Sequence, residues 1–498
     1  MEAVKRARSR AVFVAALLAS LPVSRPAMAD AGWFESGDLV LRADLLLLND
    51  ADVITLPVTQ WPLPRAAVIY ALKSAKEHYA TNSAVHAALT RVRERVEPRE
   101  RFGFEARASA GEPGLLRGFG DIAREDAELG GGATFADERF SVTARVTAVS
   151  SPDDGQEVRA DRSEATVQLG NWLLSANTLE RFWGPAYDSN LILSNNARPM
   201  PTVMVERAEP RAFGAPLLRW LGPWRFNFGL SRMENERVDI DAPLFMAWRV
   251  TIMPWHKFEL GFSRTAQFCG EGLPCNFDSL IAMLLGNDNP GFDATLENEP
   301  GNQMAGFDIR LDSPIGHLPY AIYGQMIGED ESSYMPAKYL EQFGVEAWKP
   351  LVNGNLLHGY LEYIDTTCSA SRDPPRFNCA YNQGKFNVEG YRYYGRVIGH
   401  TADRDAEGFT AGGTLTQMDG TLWTLTARVL RLNRDGGIDP NNTVAQIATD
   451  FVSLEAGWRG QLFGGAFSAD LGVQSRETEA GRDVEPIGNV SWTYAFDR

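Results

Sequence analysis

The sequence predicts an all-β transmembrane barrel of about 18 antiparallel strands with a small periplasmic α-helical domain at its N-terminus. Three observations carry this prediction. Apolar and polar residues alternate along most of the chain after residue 100, as in strands with one lipid-facing and one inward-facing surface. Trp and Tyr recur near the ends of these alternating stretches. The chain also begins with the features of an export signal.

Residues 1–29 form the predicted signal peptide. A basic stretch precedes the apolar segment from Ala11 to Leu21, and Ala27-Met28-Ala29 supplies the small residues of a cleavage site. The apolar segment is too short to cross a bilayer, which takes about 20 helical residues. We therefore favour a removable signal over a membrane anchor. The net charge of −16 argues against nucleic acid as a partner.

Residues 30–100 are predicted to form the N-terminal helical domain. Between Trp61 and Glu97, apolar residues recur at the spacing of one helix face. Asn82 or Ser83 is the predicted N-cap of the second helix, because both side chains can accept a hydrogen bond from the first turn. Pro98 is expected to end that helix.

Residues 101–498 are predicted to form the barrel. In one clear stretch, apolar side chains alternate with polar or small ones: Trp224, Phe226, Phe228 and Leu230 with Arg225, Asn227, Gly229 and Ser231. A large soluble β-sandwich shows a similar pattern. Charged residues inside the strands favour a hydrated lumen instead. Aromatic residues at strand ends, among them Trp255 and Trp348, resemble interface girdles.

Connection lengths support the same architecture. From residue 223 onward short and long connections alternate, as periplasmic turns and extracellular loops do. The chain ends on an alternating strand that contains Trp492, Tyr494 and Phe496, which resembles the terminal assembly signal of outer-membrane proteins. Residues 176–222 come where a short periplasmic turn is due. We expect them to form a lobe inserted into the mouth or lumen of the barrel.

The four cysteines form two close pairs, Cys269 with Cys275 and Cys368 with Cys379. In an oxidising compartment, nearest-neighbour disulfides are expected, although four cysteines allow three connectivities. Each pair would lie in a long external loop. A zinc site needs shorter spacing, usually with His nearby, so we predict no metal.

Catalytic signatures are absent from the sequence. It contains no Gly-x-Ser-x-Gly elbow, no His-Glu-x-x-His and no phosphate or calcium loop. We predict a protein that is not an enzyme and needs no cofactor. An outer-membrane enzyme whose Ser and His come together only in the fold is left open.

Three stretches resemble the capsule assembly protein Wzi family: Leu41 to Val68, Asn177 to Pro201 and Gly390 to Ala406. The resemblance implies an 18-stranded outer-membrane barrel capped at one end by a periplasmic helical bundle. It also implies a lectin that holds capsular polysaccharide on the cell surface. The cysteine-bearing loops depart from the family pattern.

Six residues of the second stretch are candidates for polysaccharide binding: Arg181, Trp183, Tyr187, Asn195, Asn196 and Arg198. The aromatic rings offer flat faces for stacking on a sugar, and the Asn amides can pair with hydroxyls. The arginines can clamp carboxylates. A structural role for these residues is favoured over binding. The Asn-Asn-Ala-Arg-Pro run can tie the lobe to the barrel wall by backbone hydrogen bonds, and Trp183-Gly184-Pro185 can form a packed turn.

The other expected partners are outer-membrane lipid, the barrel assembly machinery and the polysaccharide export channel, and we expect a monomer. A diffusion channel for sugars or other small solutes is the second functional hypothesis. A barrel of this size is wide enough for an aqueous pore unless something fills it.

Overall fold

The computed structural model describes residues 31–76, 83–97, 101–111, 115–235, 237–270, 273, 275–276, 301–315, 318–332, 335–368, 374–381 and 389–497. The predicted signal peptide, residues 1–29, lies outside this range, as do Asn82 and Pro98.

Eighteen antiparallel strands close into a barrel, which confirms the predicted fold class. The fourth strand is interrupted, since both of its parts pair with the third. The strands are β1 Arg101–Ala110, β2 Ala127–Ala136, β3 Phe140–Ser150, β4 Val158–Arg159 with Glu164–Leu169, β5 Trp172–Asn177, β6 Thr202–Arg207, β7 Trp224–Arg232, β8 Leu244–Trp255, β9 Phe258–Phe268, β10 Gly301–Asp312, β11 Tyr320–Ser332, β12 Met335–Pro350, β13 Leu356–Asp365, β14 Glu407–Thr416, β15 Leu422–Leu432, β16 Thr449–Leu462, β17 Gly465–Thr478 and β18 Gly481–Asp497.

The first and last strands close the barrel, with Arg101 opposite Asp497. We call the end that carries these two residues the proximal end and the opposite end the distal end. The segment 176–222, predicted as one lobe, divides at β6. Residues 178–201 form a distal connection that folds into the lumen, whereas 208–223 form a proximal connection. Thr202–Arg207 pairs with β5 and β7 as an ordinary wall strand, which its short, mixed sequence did not reveal.

The described residues of the N-terminal part form three helices: α1 Leu39–Asp50, α2 Arg65–Lys73 and α3 Ala84–Val96. The side chain of Ser83 accepts a hydrogen bond from the backbone N–H of His86 at 3.2 Å, so Ser83 is the N-cap of α3. Asp38 caps α1 in the same way. Among the described residues, no helix is long and apolar enough to cross a membrane.

The lumen is packed with protein rather than open. Residues 53–64 enter it from the proximal side, where Glu259 of β9 accepts hydrogen bonds from the backbone N–H groups of Val58 and Thr59 at 3.0 and 2.9 Å. From the distal side, residues 178–201 reach this segment, where the backbone N–H of Gly184 donates to the carbonyl of Thr59. Residues 389–406 pack against 178–201, and the hydroxyl of Tyr391 donates to the carbonyl of Ile192. The inward-facing polar residues of the wall therefore bind protein groups where the sequence suggested water.

Inward and outward faces alternate as the sequence pattern requires. The side chains of Phe226 and Phe228 are partly exposed on the outside, whereas Arg225 and Asn227 are buried inside. One aromatic residue is placed differently from the prediction. Trp348 is 7 % exposed and donates its indole N–H to Asp50 at the end of α1, so it anchors the helical domain and is no part of an interface girdle.

Neighbouring positions on β3 test the face assignment. Val146 is 57 % exposed on the outer surface, whereas Thr147 lines a water-accessible cavity in the lumen. We expect Val146→Lys to cost about 2–4 kcal/mol of unfolding free energy, because a charge in mid-membrane loses its hydration. Thr147→Lys should cost clearly less. Urea titration of the refolded barrel in lipid measures both, and equal losses would contradict the assignment.

Both predicted disulfides are formed. Cys269 is joined to Cys275 and Cys368 to Cys379, with S–S distances of 2.05 and 2.09 Å. Both pairs lie in distal connections.

Non-reducing peptide maps should therefore show these two links and no exchanged pair. Replacing Cys368 and Cys379 together by Ser should cost roughly 2–3 kcal/mol, since the bridge closes only a short loop of the unfolded chain. Thermal unfolding with and without reductant measures the loss, and free thiols in the folded protein would contradict the pairing.

Candidate functional site

The distal connection 178–201, which we call the lumenal loop, contains all six residues proposed from the sequence. Trp183 is fully buried, with its backbone N–H bonded to the carbonyl of Leu193 at 3.0 Å. Tyr187 is also buried. Its hydroxyl donates to Glu346 at 2.6 Å, and its ring stacks on Tyr360 with 4.7 Å between centroids. Neither ring presents a face to solvent.

Glycine is required at position 184, between Trp183 and Pro185, for a steric reason. Gly184 adopts a φ of +145°, and a Cβ at this position would lie 2.1 Å from the side-chain oxygen of Asn190. Its backbone N–H bonds to the carbonyl of Thr59 at 2.9 Å. Only glycine therefore lets the lumenal loop meet the N-terminal segment in the middle of the barrel.

Asn195 and Asn196 bind backbone groups. The amide of Asn195 donates to the carbonyl of Phe119 at 3.1 Å, and the amide of Asn196 donates to the carbonyl of Val397 at 2.9 Å. Their own carbonyls accept hydrogen bonds from Arg124 at 2.7 Å each. The two residues thus tie three distal segments together.

The two arginines differ in their surroundings. Arg181 is buried and donates to Asn177 at 2.9 Å and to the carbonyl of Leu179 at 3.1 Å. Burial lowers its pKa to about 10. Arg198 lies nearer the distal end, where it forms a two-point ion pair with Asp161 (3.0 and 2.9 Å) and a contact with Asp154.

Arg198 borders a small cleft at the distal end, which we call the distal cleft. Its volume is about 30 Å³. It is lined by aromatic and charged side chains from four segments: Arg124, Glu125, Asp153, Asp154, Arg198, Tyr393, Tyr394 and Arg396. Of the six proposed residues, Arg198 is the one that lines it.

A tight hairpin presents the two tyrosines of the distal cleft. Arg392–Tyr393 pairs with Arg396–Val397, and Tyr394 with Gly395 forms the turn. Tyr394 has a φ of +47°, a backbone conformation that costs energy in a residue with a large side chain. Its partly exposed ring packs edge-on against Tyr393, with 4.7 Å between centroids, and lies 5.5 Å from the guanidinium of Arg198.

The distal cleft stays charged at neutral pH. Burial favours neutral Arg198, but the hydrogen bonds and charges of Asp161 and Asp154 outweigh it and raise its pKa above the ordinary value. Burial, with the nearby charge of Arg124, lowers the pKa of Arg396 to about 10, which still leaves it cationic at pH 7. Burial raises the pKa of Glu125.

The side chains of the distal cleft suit carbohydrate binding. An aromatic face beside guanidinium groups suits a sugar ring that carries hydroxyl or carboxylate groups. Among the described residues, no group of three or more His, Cys, Asp and Glu is placed to hold a metal ion. The stretch Gly390 to Ala406 resembles the family in sequence, but no binding residue was predicted within it. The pair Tyr393 and Tyr394, directly before Gly395, is the sequence feature that could have indicated exposed aromatic rings at a turn.

Comparison with known proteins agrees with this fold. An outer-membrane protein of Escherichia coli, Wzi, described as a carbohydrate-binding β-barrel involved in group 1 capsule assembly, superposes with a TM-score of 0.82 at 26 % identity, over 94 % of this chain and all of that one. An uncharacterized 55.8 kDa protein in the cps region of Klebsiella pneumoniae is 33 % identical over 340 residues. That match covers 66 % of this chain and 65 % of the relative's own length. Residues 96–485 match the family model of the capsule assembly protein Wzi, and the chain therefore belongs to the capsule assembly protein Wzi family.

Proposed function

We propose that this protein binds capsular polysaccharide at the distal end of the barrel and holds it on the outer surface of the outer membrane, without changing it chemically. The observation that carries the proposal is the distal cleft, where a strained, partly exposed tyrosine stands beside cationic side chains. The carbohydrate binding described for the structurally similar E. coli protein supports it.

The lengths of the connections support the orientation in this proposal. Most proximal connections are short, down to Phe463-Gly464 between β16 and β17, with residues 208–223 as the exception. The two longest connections, 269–300 and 366–406, are distal. In outer-membrane barrels short turns face the periplasm. The proximal end and the helical domain therefore face the periplasm, and the distal cleft faces outward. The barrel assembly machinery and an export channel stay proposed partners.

The six residues proposed from the sequence divide into two roles under this proposal. Arg198 contacts polysaccharide. The buried five hold the lumenal loop rigid, and Asn195 and Asn196 position Arg124 in the wall of the distal cleft. Rigid support matters because ordering the contacting loops during binding costs free energy, which lowers the affinity for the glycan.

Binding by the purified, detergent-solubilised protein tests the site. We expect Tyr394→Ala to weaken binding of the capsular polysaccharide of the source strain, and Arg198→Ala to weaken it further if the glycan carries carboxylates. Phe463→Ala is the matched control: Phe463 is also an aromatic residue at positive φ (+52°) in a tight turn, but it lies at the proximal end. Biolayer interferometry on immobilised polysaccharide measures all three variants. Unchanged binding by a folded Tyr394→Ala protein would remove the distal cleft from the proposal.

A further inference from the structure

A second, larger cavity opens at the proximal end, along β1, β2, β3 and β18. Its volume is about 490 Å³. The wall carries little side-chain bulk here, since Gly103, Gly130 and Gly132 line it. The lumenal loop and the N-terminal segment pack against other parts of the wall and leave this side of the lumen less filled. We call this space the proximal cavity.

A chain of ion pairs closes the inner end of the proximal cavity. Arg162 lines the cavity and pairs with Asp121, and its guanidinium also lies 3.8 Å from the carboxylate of Glu180. Glu180 in turn pairs with Arg124 at 2.9 Å. Arg124 lines the distal cleft. In the described part of the chain, these four side chains link the floor of one cavity directly to the wall of the other.

The geometry points to a closed passage for small ions and hydrophilic solutes along this side of the lumen, with Arg162 as the side chain that blocks it. Arg162 lies within 4.0 Å of four carboxylates, those of Asp121, Glu180, Glu35 and Glu105. Each of the four has another arginine partner: Glu35 pairs with Arg145, and Glu105 with Arg107. Asp121 accepts two hydrogen bonds from Arg107 at 2.8 and 2.7 Å, and Glu180 has its ion pair with Arg124. Removing Arg162 therefore takes away the obstruction without leaving a carboxylate unpaired.

The backbone at this position makes a clean experiment possible. Arg162 has a φ of +63°, a conformation that glycine adopts without strain. Arg162→Gly therefore removes the whole side chain and relieves the local backbone at the same time. Arg162→Lys keeps the positive charge and most of the bulk.

Single-channel recording in planar bilayers in KCl tests the passage. We expect the unchanged protein and Arg162→Lys to show no discrete current steps, and Arg162→Gly to show steady ones. Arg249→Ala is the control, since it removes a fully buried arginine of the lumen that makes two hydrogen bonds to Asp308 and borders neither cavity. Arg162→Ala provides a second variant with the same expected sign.

Three outcomes would overturn the passage. Arg162→Gly and Arg162→Ala could both be silent although heat-modifiable migration shows a folded barrel. Arg249→Ala could open equally, which would mean that any loosening of the lumen gives current. The unchanged protein could conduct, so that Arg162 blocks nothing. Failure here leaves polysaccharide binding untouched, because that is measured separately on the distal cleft.

Discussion

A strain that lacks this protein is expected to go on making capsule polysaccharide and to release most of it into the medium. A binding protein needs no chemistry to hold a long polymer, because many weak contacts to one chain add up to firm attachment through multivalency. The measurement is the ratio of cell-bound to released polysaccharide after gentle centrifugation. Complementation with the unchanged gene should restore attachment.

Complementation with site variants links this phenotype to the distal cleft. Tyr394→Ala combined with Arg198→Ala should leave the capsule in the medium, whereas Phe463→Ala should restore attachment. The unchanged protein and both variants must reach the outer membrane in equal amounts. A deletion strain that keeps its capsule tightly bound would refute the proposed function.

Glu206→Ala is expected to destabilise the folded barrel by about 3–5 kcal/mol, since it leaves a buried charge without its partner. Glu206 and Arg225 are both fully buried, and the guanidinium donates to the carboxylate at 2.6 Å. The same carboxylate accepts a hydrogen bond from Asn227 at 2.6 Å and one from Gln60 at 3.1 Å. Urea titration of the refolded protein in lipid measures the loss.

Two further variants separate the causes. Glu206→Gln keeps an acceptor for the neighbouring donors and should cost less than the Ala variant. Glu477→Ala removes a carboxylate from a largely exposed pair with Arg482 and should cost at most about 1 kcal/mol. If Glu477→Ala and Glu206→Ala lose equal stability, burial does not explain the effect.

The fold was predictable because its signals are repeated in many strands. Alternation along stretches such as Trp224–Arg232 gives the wall, and the even strand count follows from the connection lengths. Thr202–Arg207 was missed because six residues of mixed character carry little periodicity. The packed lumen was also missed. Arg225 and Asn227 bind protein groups as readily as water, and only the fold brings Glu206 and Gln60 to them.

The site was harder to predict for a physical reason. Aromatic and amide side chains bind sugar or backbone equally well, so composition could not show that Trp183 and Asn195 face inward. The distal cleft combines residues from around 124, 153, 198 and 394, which are far apart in the chain. No local pattern records that proximity.

The N-terminal segment inside the lumen imposes an order on assembly. Residues 53–64 are synthesised before any wall strand, but their partners come much later in the chain. Val58 bonds to Glu259, which follows it by 201 residues, and Gln60 bonds to Glu206, which follows it by 146 residues. The seam between β1 and β18 can close only after the last residues have been made. Residues 53–64 must therefore stay close to the forming strands until the barrel closes. A barrel closed around an absent segment would hold Arg225 and Glu259 without the backbone groups that now bind them.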